Sequence, residues 1–187
     1  WVLVVAVAWA AATAPSAAAG TLERRSLLVD GVTRHYWLAR PGVAGPSPAV
    51  LVLQGALEDP RAFADSTGLP TLARGDGVAL VVPETIDGHW NDGRRAVYFG
   101  TPSAADDAGF LERLLQALVV EGTARADSIY LAGFSNGGLM ALTLACRPGA
   151  VRPAGLVIAA ATLPEATAAG CRPAAPLALV LANGTAD

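Results

Sequence analysis

The sequence predicts an α/β fold in which helices cover both faces of a mostly parallel sheet. Short, almost wholly apolar runs alternate along the chain with segments of helical spacing, as expected for buried parallel strands and the helices that connect them. The 187 residues are 53% hydrophobic and 16% charged, which suits a globular domain with a large core. The net charge is only −3 and the sequence has no basic stripe, so it does not support nucleic-acid binding.

The apolar beginning of the chain has the pattern of a secretory signal peptide. About a dozen apolar residues are too few to span a bilayer, but they suit the core of a signal peptide. The small residues Ala17 to Ala19 precede Gly20, as a cleavage site requires. We therefore expect a partial signal peptide at residues 1–19, without its basic start, and a globular domain at residues 20–187. The protein is expected to be secreted, without stable membrane insertion after signal removal; a lipidated or uncleaved anchor is the alternative.

The predicted strands follow one another from Ser26 onward. Ser26 to Leu38 has the pattern of a hairpin around Asp30 and Gly31. Short apolar runs then predict buried strands at residues 49–53, 78–82 and 128–132 and two further strands at residues 155–159 and 177–181. The last of these would be an exposed, aggregation-prone sheet edge if nothing followed it.

The segments between the strands predict the helices and one long loop. The segment 61–74 is a helix candidate, apolar side chains at helical spacing predict a helix at residues 110–119, and an almost wholly apolar run predicts a buried helix at 139–145. The first helix is expected to break near Pro70. Ser103 to Asp106 resembles a capping box at the start of the second helix. The polar segment Glu84 to Pro102 is a loop of the length at which loops are usually functional or flexible.

One serine stands between two glycines where a predicted strand meets a predicted helix. The segment Gly133–Gly137 has the form G-x-S-x-G and follows the apolar run that ends at Ala132. A strand, this motif and a helix in that order form a nucleophile elbow, in which glycines allow a very tight turn and the serine hydroxyl projects above the sheet. An ordinary glycine-rich loop is the alternative, but the flanking elements favour Ser135 as a nucleophile.

A serine nucleophile needs a base, which is usually a histidine held by a carboxylate. In α/β-hydrolases the chain order is serine, acid, histidine. Asp187 fits the acid because it follows the last predicted strand. The two histidines, His35 and His89, both precede Ser135. We therefore expect a C-terminally truncated domain whose base lies downstream of Asp187; His89 acting as the base in a different chain order is the alternative.

Ester hydrolysis also needs two backbone N–H groups directed at the developing oxyanion. The residue after the nucleophile supplies one of them, which is Asn136 in this chain. The other is expected from the loop after the strand at residues 49–53, where Ala56 is the first choice and Leu57 the second. The alternative is that this loop is only a turn.

The two cysteines, Cys146 and Cys171, fit an exported protein. A disulfide between them would enclose about 24 residues and stabilise the fold by about 3–4 kcal/mol in the chain-entropy model. Two free, buried thiols are the alternative.

Several short motifs together resemble the secreted polyhydroxybutyrate depolymerase and feruloyl esterase family. They lie between Arg34 and Asp187 and include Trp90-Asn91, the sequence DDAGF at 106–110 and the sequence SNGG at 135–138. The resemblance implies an α/β-hydrolase fold and serine ester hydrolysis without a metal or another cofactor. It also supports Ser135 as the nucleophile and Asp187 as the acid, and it favours a disulfide between Cys146 and Cys171.

The chain departs from this family at two positions. The family usually has His-Gly where this chain has Gln54-Gly55, and it often has histidine where this chain has Asn183. The first departure lies in the loop that is expected to supply the Ala56 N–H, so it bears on the geometry of the oxyanion hole.

The sequence also suggests roles for four residues of the motifs. Trp90 and Asn91 are candidates for the wall of the substrate pocket, and a structural lid over apolar surface is the alternative for Trp90. Asp106 and Asp107 are expected to begin a helix rather than to act as acid or base, because carboxylates stabilise helix N-termini.

These features predict a secreted serine esterase that hydrolyses a carboxylic ester through an acyl-enzyme on Ser135. The resemblance implies a small-molecule or polymeric substrate, either a polyhydroxybutyrate-type polyester or a feruloyl-type ester. One alternative is a non-catalytic fragment or binding remnant that lacks the triad histidine. The other is a peptidase or an enzyme similar to dienelactone hydrolase.

Overall fold

A computed structural model of the chain describes residues 20–94, 103–147, 149, 152–173 and 176–185. The predicted signal segment and Asp187 lie outside these residues. The strands are β1 (Glu23–Val29), β2 (Val32–Ala39), β3 (Ser47–Leu53), β4 (Ala79–Pro83), β5 (Ala124–Phe134), β6 (Gly155–Ala159) and β7 (Ala178–Ala182). They form one sheet in the order β1-β2-β4-β3-β5-β6-β7. β1 and β2 form the predicted hairpin, β2 is antiparallel to β4, and the remaining neighbours are parallel.

Five helices connect the strands in the described part of the chain. They are α1 (Pro60–Ser66), α2 (Pro70–Gly75), α3 (Asp107–Val120), α4 (Asn136–Ala145) and the short α5 (Glu165–Ala168). The predicted break near Pro70 separates α1 from α2. Among the described helices, none combines the length and the apolarity that a bilayer span requires.

Apolar clusters lie on both faces of the sheet. The larger cluster joins Leu51 and Leu131 of the strands to Phe110 of α3 and Met140 of α4. The smaller one includes Val52, Leu80 and Val82 of the strands, Ala64 of α1 and Ala73 of α2. Helices thus cover both faces of a mostly parallel sheet, as the alternation of elements predicts.

The face covered by α1 and α2 becomes exposed toward β7. Val52, Ala132, Val157 and Val180 form one row across β3, β5, β6 and β7 by their register. Exposure along this row rises from 1% at Val52 to 51% at Val157 and 59% at Val180. β7 forms the edge, and every one of its residues is exposed. In the described part of the chain, β7 is therefore an exposed, apolar edge strand.

The start of α3 differs from the predicted capping box. Asp106, not Ser103, is the N-cap, and its carboxylate accepts the N–H of Gly109 at 2.9 Å. Ser103 instead donates its hydroxyl to Asp87 at 2.7 Å. The serine is thus used inside the preceding loop, and the helix begins later, at Asp107. Asp106 and Asp107 are helix-start residues, as predicted.

A disulfide joins Cys146, directly after α4, to Cys171 in the segment before β7. The alternative of two free thiols is therefore wrong. The bond links the end of α4 to the part of the chain that leads into the exposed edge strand. Disulfides persist in oxidising compartments, so this bond is consistent with an extracellular protein.

Removal of the disulfide should lower the free energy of unfolding by about 3 kcal/mol, because the reduced chain has more conformational freedom when unfolded. Denaturant unfolding of a Cys146→Ser/Cys171→Ser variant measures this loss. Dithiothreitol provides the control, since it should destabilise the parent protein by a similar amount and leave the double variant unchanged. Equal stability of parent and variant would contradict the expectation.

Candidate active site

Loops from several strands meet at one edge of the sheet. β3 to β7 are parallel to one another, so their carboxyl ends lie on the same edge. The loop at residues 54–59 follows β3, the loop at residues 84–94 follows β4, and the turn from β5 into α4 lies between β3 and β6. In open α/β sheets, ligands bind in the crevice outside this edge.

Ser135 occupies the turn between β5 and α4 in a backbone conformation that non-glycine residues rarely adopt. Its φ is +50° and its ψ is −118°. Its N–H donates to the carbonyl of Ala159 at 2.9 Å, and its own carbonyl accepts the N–H of Leu139 at 3.0 Å. A serine at a helix N-cap usually caps the helix with its hydroxyl, but the Ser135 hydroxyl makes no capping bond. The half-buried residue is fixed by its backbone, and the helix does not use its side chain.

Glycines allow α4 to pack directly on the strands behind Ser135. A Cβ on Gly133 would lie only 2.5 Å from the carbonyl oxygen of Gly137. A Cβ on Gly137 would overlap the carbonyl oxygens of Leu53 and Gln54. The backbone of α4 therefore touches both β5 and the end of β3, which side chains at these positions would prevent. The contact brings the loop after β3 beside the N-terminus of α4.

Gly137→Ala should destabilise the protein by about 1–3 kcal/mol, because the added methyl group must displace backbone at the end of β3. Gly75→Ala is the matched control, since no atom lies within 4 Å of a Cβ at Gly75 and its φ is not positive. Thermal unfolding measures the melting temperatures of the two variants, and Gly137→Ala should have the lower one. Similar melting temperatures for both would show that α4 does not approach β3 this closely.

The side chain of Asn136 ties the loop after β4 to the start of α4. Its Oδ1 accepts the N–H of Trp90 at 2.7 Å, and its Nδ2 donates to the Trp90 carbonyl at 3.1 Å and to Asp92 Oδ2 at 2.7 Å. The hydroxyl of Thr143 donates to the Asp92 carbonyl at 3.0 Å. Asn136 and Asp92 are both buried, and Asp92 is also paired with Arg94 at 2.7 Å. A buried network with its polar groups paired holds the loop in one position.

A second buried carboxylate holds the same loop to the start of α3. Asp107 accepts the N–H of Asn91 at 2.8 Å with one oxygen and Nη2 of Arg34 at 2.6 Å with the other. The Arg34 guanidinium lies 4.0 Å from the centre of the Phe110 ring. Burial raises the pKa of the Asp107 carboxyl, and the bonds from Asn91 and Arg34 oppose this rise.

Asn136→Ala should lower the free energy of unfolding by about 2–4 kcal/mol, because it leaves the Trp90 N–H and the Asp92 carboxylate without their buried partner. Asn91→Ala is the matched control. The Asn91 side chain is exposed and, among the residues described, bonds only to the Ala105 carbonyl at 2.9 Å, so its loss should cost less than about 1 kcal/mol. Urea unfolding of both variants measures the difference. An equal effect of the two substitutions would contradict the buried network.

The predicted oxyanion donors lie at the ends of the two elements that the glycines bring together. Asn136 is the first residue of α4, and Ala56 lies in the loop after β3. The second choice in that loop, Leu57, donates its N–H to the Gly88 carbonyl at 2.7 Å. Among the described residues, no acceptor takes up the N–H of Ala56 or of Asn136. Because the Leu57 N–H is already bonded, Ala56 is favoured over Leu57 as the second oxyanion donor.

The two candidates for the pocket wall have different environments. Trp90 is 1% exposed, and its indole N–H donates to the Gln54 carbonyl at 3.1 Å. This supports the structural alternative for Trp90, because its ring holds the loop after β4 against the loop after β3. Asn91 is exposed and bonded to the segment before α3. A pocket role for either residue stays a prediction.

Neither histidine has the features of a base for Ser135. His35 lies on β2, which β4 and β3 separate from β5. His89 Nε2 accepts the N–H of Ser103 at 3.1 Å, so the proton is on Nδ1, which faces the Asp87 carbonyl at 3.0 Å. Both nitrogens of His89 are thus used within the loop, and the alternative of His89 as the base gains no support.

The segment after β7 lies beside the segment after β6. The Asn183 amide accepts the N–H of Ala161 at 3.1 Å and donates to its carbonyl at 3.3 Å. The asparagine that stands where the resembled family often has histidine therefore joins two loops. Asp187 comes shortly after it, outside the described residues, and its role as the acid stays a prediction.

Several residues of this region were not singled out in the sequence. They are Asp92, which accepts a bond from Asn136, Thr143, which donates to the Asp92 carbonyl, Glu58, which accepts the Gly55 N–H, and Arg34, which donates to Asp107. In the sequence, only the position of Asp92 directly after the Trp90-Asn91 motif could have pointed to its role. In the described ranges, no three His, Cys, Asp or Glu side chains are grouped as a metal site would require.

No protein-family model matches the chain. A curated relative from Nocardia uniformis subsp. tsuyamanensis, named "Putative esterase NocK", is 33% identical over 174 residues. The match covers 89% of this chain and 49% of the relative, so the chain spans about half the length of the curated relative it matches. Membership of the polyhydroxybutyrate depolymerase and feruloyl esterase family stays a prediction.

Solved structures of hydrolases have a similar fold. The 2,6-dihydroxy-pseudo-oxynicotine hydrolase is 27% identical, with a TM-score of 0.56 over 74% of this chain and 36% of that one. The S-formylglutathione hydrolase FrmB from Staphylococcus aureus is 14% identical, with a TM-score of 0.59 over 76% of this chain and 57% of that one. Together with the sheet order, these likenesses identify an α/β-hydrolase fold, and the predicted fold class is confirmed.

Proposed function

We propose that this chain carries the nucleophile of a secreted serine esterase. The observation that carries the proposal is the conformation of Ser135, whose hydroxyl is not used by the helix that it begins. A serine with positive φ between a central strand of the sheet and a helix matches the nucleophile elbow. The similarity to a relative named as an esterase points in the same direction.

The proposed reaction forms and then hydrolyses an acyl-enzyme. A base removes the proton of Ser135 Oγ while Oγ bonds to the ester carbonyl carbon, and the carbonyl oxygen becomes an oxyanion. The N–H groups of Asn136 and Ala56 donate to that oxyanion. The alkoxide leaves with the proton that the base returns, and a water molecule then releases the acid in the same way.

The base in this proposal is a histidine outside the 187 residues, and Asp187 is the carboxylate that orients it. Two observations support this arrangement. The nitrogens of His89 are already used in its loop, and His35 lies on a distant strand. The curated relative is about twice as long as this chain, which leaves room for such a residue.

The proposed substrate is a carboxylic ester, either a polyhydroxybutyrate-type polyester or a feruloyl-type ester. Only the motif resemblance supports these two classes. Secretion is supported by the disulfide and by the pattern of residues 1–19.

In the full-length protein, Ser135→Ala should lower kcat/KM for p-nitrophenyl acetate by at least about 10³-fold without a change in folding, because the nucleophile is lost. Ser66→Ala, at the end of α1, is the matched control and should keep parental activity. Circular dichroism verifies that both variants fold. Undiminished turnover by Ser135→Ala would remove this residue from the mechanism.

The sequence of the gene beyond Asp187 separates the esterase from its alternative. A histidine in a loop near the end of roughly the next 100 codons would support the proposed base. A stop codon directly after Asp187 would instead support a non-catalytic binding protein.

A further inference from the structure

The loop after β3 contains three consecutive backbone N–H groups with different environments. The N–H of Gly55 donates to Glu58 Oε2 at 2.7 Å, and the N–H of Leu57 donates to the Gly88 carbonyl at 2.7 Å. In the described part of the chain, the intervening N–H of Ala56 has no acceptor. The two outer groups are thus fixed, and the middle one remains available.

The side chain of Glu58 folds back over the turn, so that its carboxylate accepts the N–H of Gly55 three residues earlier. A Cβ on Gly55 would lie 2.8 Å from Glu58 Oε2 and 3.2 Å from the ring of Phe134, so Gly55 lies beside both the carboxylate and the residue before Ser135. Within the described residues, no arginine forms an ion pair with Glu58. The bond to Gly55 is therefore the contact that fixes this side chain.

The turn also has an unfavourable backbone conformation that needs such support. Leu57 has a φ of +64°, which is rare for a non-glycine residue, and its side chain is 67% exposed. Burial of its side chain therefore does not hold it there. The bonds on either side of Ala56 stabilise this conformation, together with the bond from the Trp90 indole to the Gln54 carbonyl.

We propose that Glu58 is a positioning residue for the oxyanion hole. Its carboxylate oxygen holds the Gly55 N–H, and this directs the Ala56 N–H to the place where negative charge develops on the substrate. The inference rests on the proposed esterase function and adds a residue to that site. Its charge is not required, because a neutral amide oxygen accepts the same hydrogen bond.

Glu58→Ala and Glu58→Gln separate the acceptor from the charge. In the full-length enzyme, Glu58→Ala should lower kcat for p-nitrophenyl acetate by about 10–100-fold with KM changed less than about twofold, because a misdirected donor weakens binding of the transition state only. Glu58→Gln keeps an acceptor oxygen and removes a negative charge near the oxyanion. Its kcat should therefore equal or exceed that of the parent.

Glu121→Ala is the matched control, since this exposed glutamate follows α3 and, within the described ranges, its carboxylate pairs with Arg40 alone, at 3.9 Å. It should leave kcat unchanged. Rates are expressed per folded molecule from circular dichroism, so that loss of folding does not count as loss of catalysis.

Two results would overturn the proposal. One is a kcat for Glu58→Ala within twofold of the parent, and the other is a kcat for Glu58→Gln as low as that of Glu58→Ala. The Ser135→Ala variant, measured in parallel, distinguishes this failure from failure of the proposed function. If Ser135→Ala is inactive while Glu58→Ala is fully active, only the role of Glu58 is lost.

Discussion

The close approach of α4 to the ends of β3 and β5 is the constraint on which the rest of the site depends. It exists because Gly133 and Gly137 have no side chains, so that backbone meets backbone. This contact brings Ser135, the N–H of Asn136 and the loop of Ala56 to the same edge of the sheet. In the proposed mechanism, the N–H groups at the N-terminus of α4 would donate to the developing oxyanion, which is favourable electrostatically.

The surrounding loops are held by polar groups rather than by apolar packing alone. Asn136 and Asp107 each bind backbone groups of the loop after β4, and Trp90 joins that loop to the one after β3. These contacts link three separate connections of the sheet. A site assembled from loops needs such links, because the precise position of a donor or nucleophile determines its contribution to the rate.

The sequence predicted every strand and most of the helices, together with the serine turn, but not the short helix α5 or the contacts that fix the loops. Strands such as β4 and β6 are short apolar runs, and Ser135 is marked by its glycines. The structure extends β5 back to Ala124, where polar residues gave no strand signal. The bonds of Asn136 join residues 44 and 46 positions apart, and no local pattern reports such pairs. Glu58 lies only three residues from Gly55, but the bond between them forms only in this turn conformation, which the sequence does not reveal.

Covalent labelling of the full-length protein with a fluorophosphonate, followed by mass spectrometry of its peptides, tests the central claim most directly. Such a reagent reacts with a serine only where a base and an oxyanion hole activate it. The account predicts one adduct, on the Ser135 hydroxyl, that does not form in heat-denatured protein. An adduct on a different serine, or native protein that does not react, would contradict it.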